Sequence, residues 1–416
     1  RHWRDGLAVL ADAVQNACFP DDEWQREKDV IRREMAMTRD KPDWVLYELL
    51  LGTAYRIHPY RVPIIGYRPV FDRLQRADLQ AFFKRHYLPN NAIVAVVGDV
   101  APEALRAEVE RLFGAWPRQA YPPVVLPSEP PQISPRDARK EGAWTVSRLA
   151  WAWHTVGLSH PDAPALDLLA AIVGQGRSSR LARELKENQK LVTEIEAWSF
   201  TPLDPGLFCI RAVFEPGREG EVRRALETEI TRWSETPFLP EELDKARRQA
   251  LTATLSAFET MDGQAAQLAS GEFYAGAPDF FLTTLRRLEA VTPETLRDTA
   301  RRYLRPDTLT RCTLAPEAGA PGAEPSAERK GETAGKPSDN KPDSASRNPH
   351  SAIRNPQSAI HKAVLPNGLV VLTRSDPKLP LVHIQVVFGG GLLLETEADN
   401  GLSKLMADLL TRGTAR

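Results

Sequence analysis

Two glutamates on one face of a predicted helix are the residues of this sequence best suited to chemistry. Residues 21–38 begin with acidic side chains, which suit the positive end of a helix, and continue with an amphipathic repeat. Glu27 and Glu34 are seven residues apart, so they lie almost above one another, between Val30 and Ile31 on the apolar face. An unpaired charge buried there would cost several kcal/mol, so each carboxylate needs a partner.

Two kinds of partner fit these carboxylates. The structural interpretation is a pair of internal salt bridges to arginine, which would make the helix ordinary scaffold. The functional interpretation is a metal site, in which one glutamate is a ligand and the other supports it. The periodicity does not decide between them. It predicts a solvated opposite face that consists of Gln25, Arg26, Lys28, Asp29, Arg32 and Arg33.

Alternating helices and strands along residues 1–315 would position this helix. Apolar runs predict strands at 91–100, 146–156, 191–200 and 206–214. Helical patterns occupy 102–113, 240–268 and 293–303. A proline-rich stretch around Pro131 predicts an extended connection between two halves. This alternation favours α+β or α/β layering.

The composition changes abruptly at residues 317–361, where large apolar residues become rare. Two heptads, RNPHSAI and RNPQSAI, follow each other there, and the proline in each copy excludes a coiled coil. We therefore expect a disordered linker. Ordered patterns return after it, with a hairpin turn at Asn367-Gly368, a strand at 381–388 and a helix that starts at Gly401.

The bulk properties are those of a soluble globular protein with several cores. The chain has 416 residues, of which 42% are hydrophobic and 26% are charged. The formal net charge of −1 gives no reason to expect nucleic acid as a partner, and no apolar run is long enough to span a membrane. Helical patterns directly adjoin Arg1 and Arg416, so we expect both ends to be cut.

Four segments, taken in order, resemble the insulinase and mitochondrial-processing-peptidase family of zinc metallopeptidases, peptidase family M16. They are EKDVIRREMAM in the glutamate helix, HPYRVPIIG, FFKRHYLPNNAIVAVVGDV and GQGRSSRLARELKEN. In that family an HxxEH segment supplies two histidine ligands and a catalytic glutamate, and a downstream glutamate is the third zinc ligand. The resemblance implies that Glu34 is this metal ligand, that Glu27 supports the catalytic site, and that the intact protein binds Zn²⁺.

The HxxEH segment itself is missing from this chain. None of its eight histidines lies in HxxEH or HExxH. The part after the linker resembles the opening of a second family unit, and the HxxEH positions there hold Lys404, Leu405, Met406, Ala407 and Asp408. A lysine cation at a ligand position repels zinc. The resemblance therefore implies that this second unit is degenerate and non-catalytic.

The resemblance also implies a fold and an activity. The fold is α+β, with antiparallel sheets, helices packed on one face and duplicated halves. We expect 1–124 to be the C-terminal part of the catalytic-type half, 125–316 the second half, 317–361 the linker and 362–416 the start of the degenerate unit.

The implied activity of the intact protein is zinc-dependent endopeptidase cleavage of peptides or unfolded polypeptides. The enzyme would pair with a second M16 unit, in the same chain or in a partner subunit. The alternative is a non-catalytic homologue that acts as a chamber or assembly subunit.

Overall fold

The computed structural model describes residues 2–121, 125–317, 359–378 and 380–414. Its helices are α1 (Trp3–Asn16), α2 (Asp21–Arg39), α3 (Pro42–Ala54), α4 (Arg68–Arg73), α5 (Arg76–His86), α6 (Pro102–Phe113), α7 (Ala163–Gly174), α8 (Glu219–Glu235), α9 (Pro240–Ala257), α10 (Met261–Ala275), α11 (Phe280–Ala290), α12 (Pro293–Tyr303) and α13 (Leu402–Leu409). Its strands are β1 (Ala92–Gly98), β2 (Arg136–Gly142), β3 (Ser147–His154), β4 (Glu194–Phe200), β5 (Leu207–Phe214), β6 (Leu309–Pro316), β7 (Ile360–Val364), β8 (Val370–Ser375) and β9 (Val382–Phe388). The predicted strands and helices are confirmed, and most of the predicted linker lies outside the described residues.

A four-stranded mixed sheet in the order β7-β8-β1-β9 forms the core of the first half. The sequence AIVAVVG makes β1 its centre, because every residue of this strand is buried and can pack on both faces. β1 pairs in parallel with β8 and antiparallel with β9. Residues 360–388 thus supply the other three strands of this sheet.

A five-stranded sheet in the order β2-β6-β3-β5-β4 forms the core of the second half. Its β2–β6 pair is parallel and its other pairs are antiparallel. Each of the two sheets thus combines antiparallel pairs with one parallel pair. The α+β class is confirmed.

Each sheet carries helices of its own half on one face and one helix of the other half on the opposite face. Helices α1 and α6 pack on the β1 face of Val94 and Val96, whereas α10 packs on the face of Ile93, Ala95 and Val97. In the second sheet, α3 of the first half packs against β3, β5 and β6. This exchange of helices joins the two halves through apolar cores.

A separate layer of helices holds the predicted glutamate helix. Trp24, Ile31 and Met35 of α2 pack with residues of α5 and with Leu405 and Leu409 of α13. The prediction of a solvated face is wrong at one position, because Lys28 is buried. Its Nζ donates hydrogen bonds to the carbonyls of Asp72, near the end of α4, and of Leu74, just after that helix. Burial lowers the pKa of Lys28. Within the ranges that the structure describes, no helix is both long and apolar enough to cross a membrane.

Candidate functional site

Helix α2 presents its two glutamates to different surroundings. Glu27 is buried, with 5% of its surface exposed, because it lies in the layer between α2 and the end of α13. The Glu34 side chain, two turns further along, is 48% exposed. The apolar face expected around both residues is therefore narrower than predicted: Val30 and Met37 are exposed, and the core extends only to Met35.

Helix α13 and the turn that follows it lie against α2 and place a cation beside each glutamate. The Lys404 ammonium is 3.6 Å from Oε2 of Glu34 and 2.5 Å from Oδ2 of Asp408. The Arg412 guanidinium is 3.4 Å from Oε2 of Glu27. In this structure each glutamate thus has a cation nearby, a lysine beside Glu34 and an arginine beside Glu27.

Charge interactions at this site keep Lys404 in its cationic form. Burial alone would lower the pKa of Lys404, but the carboxylates of Asp408 and Glu34 hold it above its ordinary value. Residues four apart on a helix project from one face, so Asp408 lies beside Lys404 on α13 and contacts the same ammonium that approaches Glu34. The arrangement is a three-member ion cluster between two helices.

These residues do not fit a zinc ion as they stand. No group of three or more His, Cys, Asp or Glu side chains among the described residues is close enough together to hold a metal ion. The positive charge beside Glu34 already belongs to Lys404, and a divalent cation placed between the two carboxylates would meet that ammonium. The resemblance implies that Glu34 is a zinc ligand, but the residues near it on α13 are not the histidines that the family uses as the other ligands.

The start of α13 is fixed by buried polar contacts that the sequence did not reveal. Glu395 accepts the backbone N–H groups of Gly401 and Ser403 at 2.9 and 2.8 Å and the side-chain amide of Asn400 at 2.8 Å. Gly401 has a φ of +95°, and a Cβ atom there would lie 2.9 Å from the carbonyl oxygen of Ile65. The helix is therefore seated directly on the loop that follows α3, where only glycine fits.

A second polar cluster joins the two halves near the predicted loop residue His58. His58 is buried; its Nδ1 accepts the N–H of Tyr60 at 3.3 Å, and its Nε2 lies 3.5 Å from Asp204 of the second half. Glu129 accepts the backbone N–H groups of residues 56–58 at 2.8 to 3.1 Å. His58 thus anchors the loop after α3 through contacts with Tyr60 and Asp204. Glu129 was missed, because nothing in a proline-rich stretch points to a buried carboxylate.

A mostly apolar cavity of about 560 Å³ opens between the halves. It is bordered by α3, by the loop after β4 and by the glycine loop Gly389–Gly391 that follows β9. Its aromatic lining residues are Trp44, Tyr47, Tyr60, Tyr121, Phe200, Phe273 and Tyr274. Glu48 and Arg61 are its charged residues. Such a cavity has the size and lining of a site for an apolar ligand group.

Comparison with known proteins agrees with this architecture. The family described as "Insulinase (Peptidase family M16)" matches residues 3–68, and the family described as "Peptidase M16 inactive domain" matches residues 73–250. An uncharacterized zinc protease of Mycobacterium tuberculosis is 26% identical over 298 residues, which cover 71% of this chain and 68% of that protein. An uncharacterized zinc protease of Bacillus subtilis is 20% identical and covers 74% of each chain.

Solved structures show the same fold. A protease from Helicobacter pylori matches with a TM-score of 0.70 and 23% identity, over 76% of this chain and 77% of its own. A peptidase M16 inactive domain from Pseudomonas fluorescens matches with a TM-score of 0.65 and 21% identity, over 76% and 75%. The α+β fold described above is thus shared with M16-like peptidase structures. The chain belongs to the M16 metallopeptidase family.

Proposed function

We propose that the intact protein is a zinc-dependent endopeptidase that cleaves peptides or unfolded polypeptides. In this proposal Glu34 is the metal ligand supplied by α2, and Glu27 supports the catalytic site. The observation that carries it is the position of Glu34: half-exposed, and 3.6 Å from Lys404 on a neighbouring helix, where Asp408 lies one turn further along and contacts the same lysine. A segment with histidines at those positions would complete a three-ligand site. The residues of this chain supply no general base, so no catalytic step is assigned to them.

Two features of the first half support an extended peptide as the substrate. In the described part of the chain, β9 pairs only with β1, so the backbone groups along its other edge are available to a further strand. The apolar cavity adjoins the end of this strand at Gly389–Gly391. Backbone pairing on β9 and apolar side chains in the cavity would together bind an unfolded segment.

Metal analysis of the intact protein tests the assignment of the ligand. Glu34→Gln should lose zinc and activity together, because it removes a ligand. Glu27→Gln should retain more metal, since the loss of a supporting residue costs about 10–100-fold in affinity or activity. A Glu34→Gln variant with stoichiometric zinc and normal turnover would show that Glu34 is not a ligand.

A specific observation also favours a second candidate function, that of a non-catalytic chamber or assembly subunit. The Lys404 ammonium lies 3.6 Å from Glu34, so a side-chain cation already stands beside the carboxylate that the first candidate assigns to zinc. An intact protein that contains neither zinc nor peptidase activity, yet binds unfolded peptides, would replace the first candidate with this one.

A further inference from the structure

We infer that Lys404 takes the place of a metal ion in this chain, so that α2 and α13 form a metal-free centre in which an ammonium holds two carboxylates together. This inference concerns the chain as it folds here and does not depend on either candidate function. On this inference, residues 359–414 complete the first half, and their Lys404 prevents Glu34 from binding a metal ion.

The geometry of the three charged groups supports this exchange. Lys404 lies between Glu34 and Asp408, at 3.6 and 2.5 Å, and all three side chains remain partly accessible to solvent. An ammonium group has three donors and no acceptor, so it can serve two carboxylates at once, as a small cation would. Without it the two carboxylates would face each other across the helix pair with their repulsion uncompensated.

The docking of the segment fixes the register that this centre requires. Asn367, in the turn between β7 and β8, is buried and donates hydrogen bonds to the carbonyls of Phe113 and Trp116 at 2.7 and 3.0 Å. Asn91 donates a hydrogen bond at 2.7 Å to the carbonyl of Gly389, after β9. In each of these contacts a side-chain amide donates to a backbone carbonyl. A shift of the segment by one residue against the first half would break these hydrogen bonds and leave polar groups unpaired.

The same register would allow two substitutions on α13 to turn this centre into a zinc site. Residues 404 and 408 are four apart on α13, and two histidines with that spacing on one helical face are a known arrangement of zinc ligands. If α13 is placed against Glu34 as described, histidines at both positions would give zinc the three protein ligands that it needs, with one position open.

The experiment converts the ammonium centre into a metal centre in the full chain. The wild type, Lys404→His/Asp408→His and the same double variant with Glu34→Gln are incubated with equimolar Zn²⁺, dialysed and analysed for metal by mass spectrometry. We expect no retained zinc in the wild type and one zinc per chain in the double variant. The added Glu34→Gln substitution should remove most of that zinc. Circular dichroism and melting temperature establish that the variants are folded.

Two outcomes overturn the inference. One is a wild type that retains stoichiometric zinc which Glu34→Gln removes. The other is a folded double variant that retains none. An exchange of charges tests the same contact without metal and covers the case of a misfolded double variant: Glu34→Lys and Lys404→Glu should each lower the melting temperature by about 2–4 °C, and the combined variant should recover at least half of the summed loss. If the combined variant instead lost the full sum of the two single decreases in melting temperature, Lys404 and Glu34 would not be in contact.

Discussion

The side chain of Asn400 accepts the backbone N–H of Tyr67 through its Oδ1 at 3.0 Å, across a separation of 333 residues. Tyr67 precedes α4 in the first half, and Asn400 lies just before α13. The same asparagine donates a hydrogen bond to Glu395. One buried side chain thus connects the loop after α3, the turn before α13 and the cap of that helix, and it orients α13 toward α2.

The first prediction concerns this asparagine. Asn400 is only 2% exposed, so Asn400→Ala would remove a buried amide that bonds both the N–H of Tyr67 and the Glu395 carboxylate. We expect a loss of about 1–3 kcal/mol in the free energy of unfolding. Asn188→Ala is the matched control, because Asn188 is exposed and contacts Glu184 on its own helical turn. Urea denaturation of both variants provides the comparison, and equal midpoints would contradict the role of Asn400.

The second prediction concerns the partner of the buried glutamate on α2. Arg412→Ala would leave the Glu27 carboxylate buried without the guanidinium that contacts it at 3.4 Å. We expect a loss of about 1–3 kcal/mol, and Glu27→Gln should recover part of it in the double variant because the uncompensated charge is then absent. Arg106→Ala removes an exposed pair with Glu110 and should change stability by at most about 0.5 kcal/mol. An Arg412→Ala variant as stable as Arg106→Ala would show that this contact does not stabilise the protein.

The third prediction is a pH dependence at the junction of the halves. Burial alone would raise the pKa of Glu129, but the N–H donors of Ile57, Arg56 and His58 hold it below the ordinary value of 4.5. The carboxylate therefore stabilises the fold above the unfolded pKa, and this contribution is lost as the pH falls through the lower, folded pKa.

Glu129→Gln tests this prediction by removing the titration. The variant should lose about 1–2 kcal/mol at neutral pH, and its difference from the wild type should shrink as the pH is lowered from 5 toward 3. Chemical denaturation at several pH values measures this difference. Glu241→Gln, on the exposed first turn of α9, should show the wild-type dependence. A difference between Glu129→Gln and the wild type that is constant with pH would contradict the assignment.

Much of the fold could be predicted from the sequence because its local signals are strong. The buried run of β1, Pro102 at the first position of α6 and the Asn367-Gly368 turn each have a physical reason that acts over a few residues. The glutamate pair was found in the same way, from a charge on an apolar helical face. These signals needed no knowledge of distant contacts.

The pairing of residues 359–414 with the first half could not be predicted from local signals. Periodicity identifies strands and a helix there, but it does not say which sheet they join. The choice of sheet depends on partner strands that are far away in the sequence. The partners of Glu34 and Glu27, which are Lys404 and Arg412, depended on that pairing. The assignment of 362–416 as the start of a second unit stays a prediction.

Hydrogen exchange of β1 in the monomeric, full-length chain tests most directly whether the segment completes the first half and brings Lys404 to Glu34. β1 is hydrogen-bonded on both sides, by β8 and β9, and β5 is likewise enclosed by β3 and β4 within the second half. We predict that the amides of Ala92–Gly98 are protected as strongly as those of Leu207–Phe214. Exchange of the β1 amides within seconds, while β5 stays protected, would contradict the account.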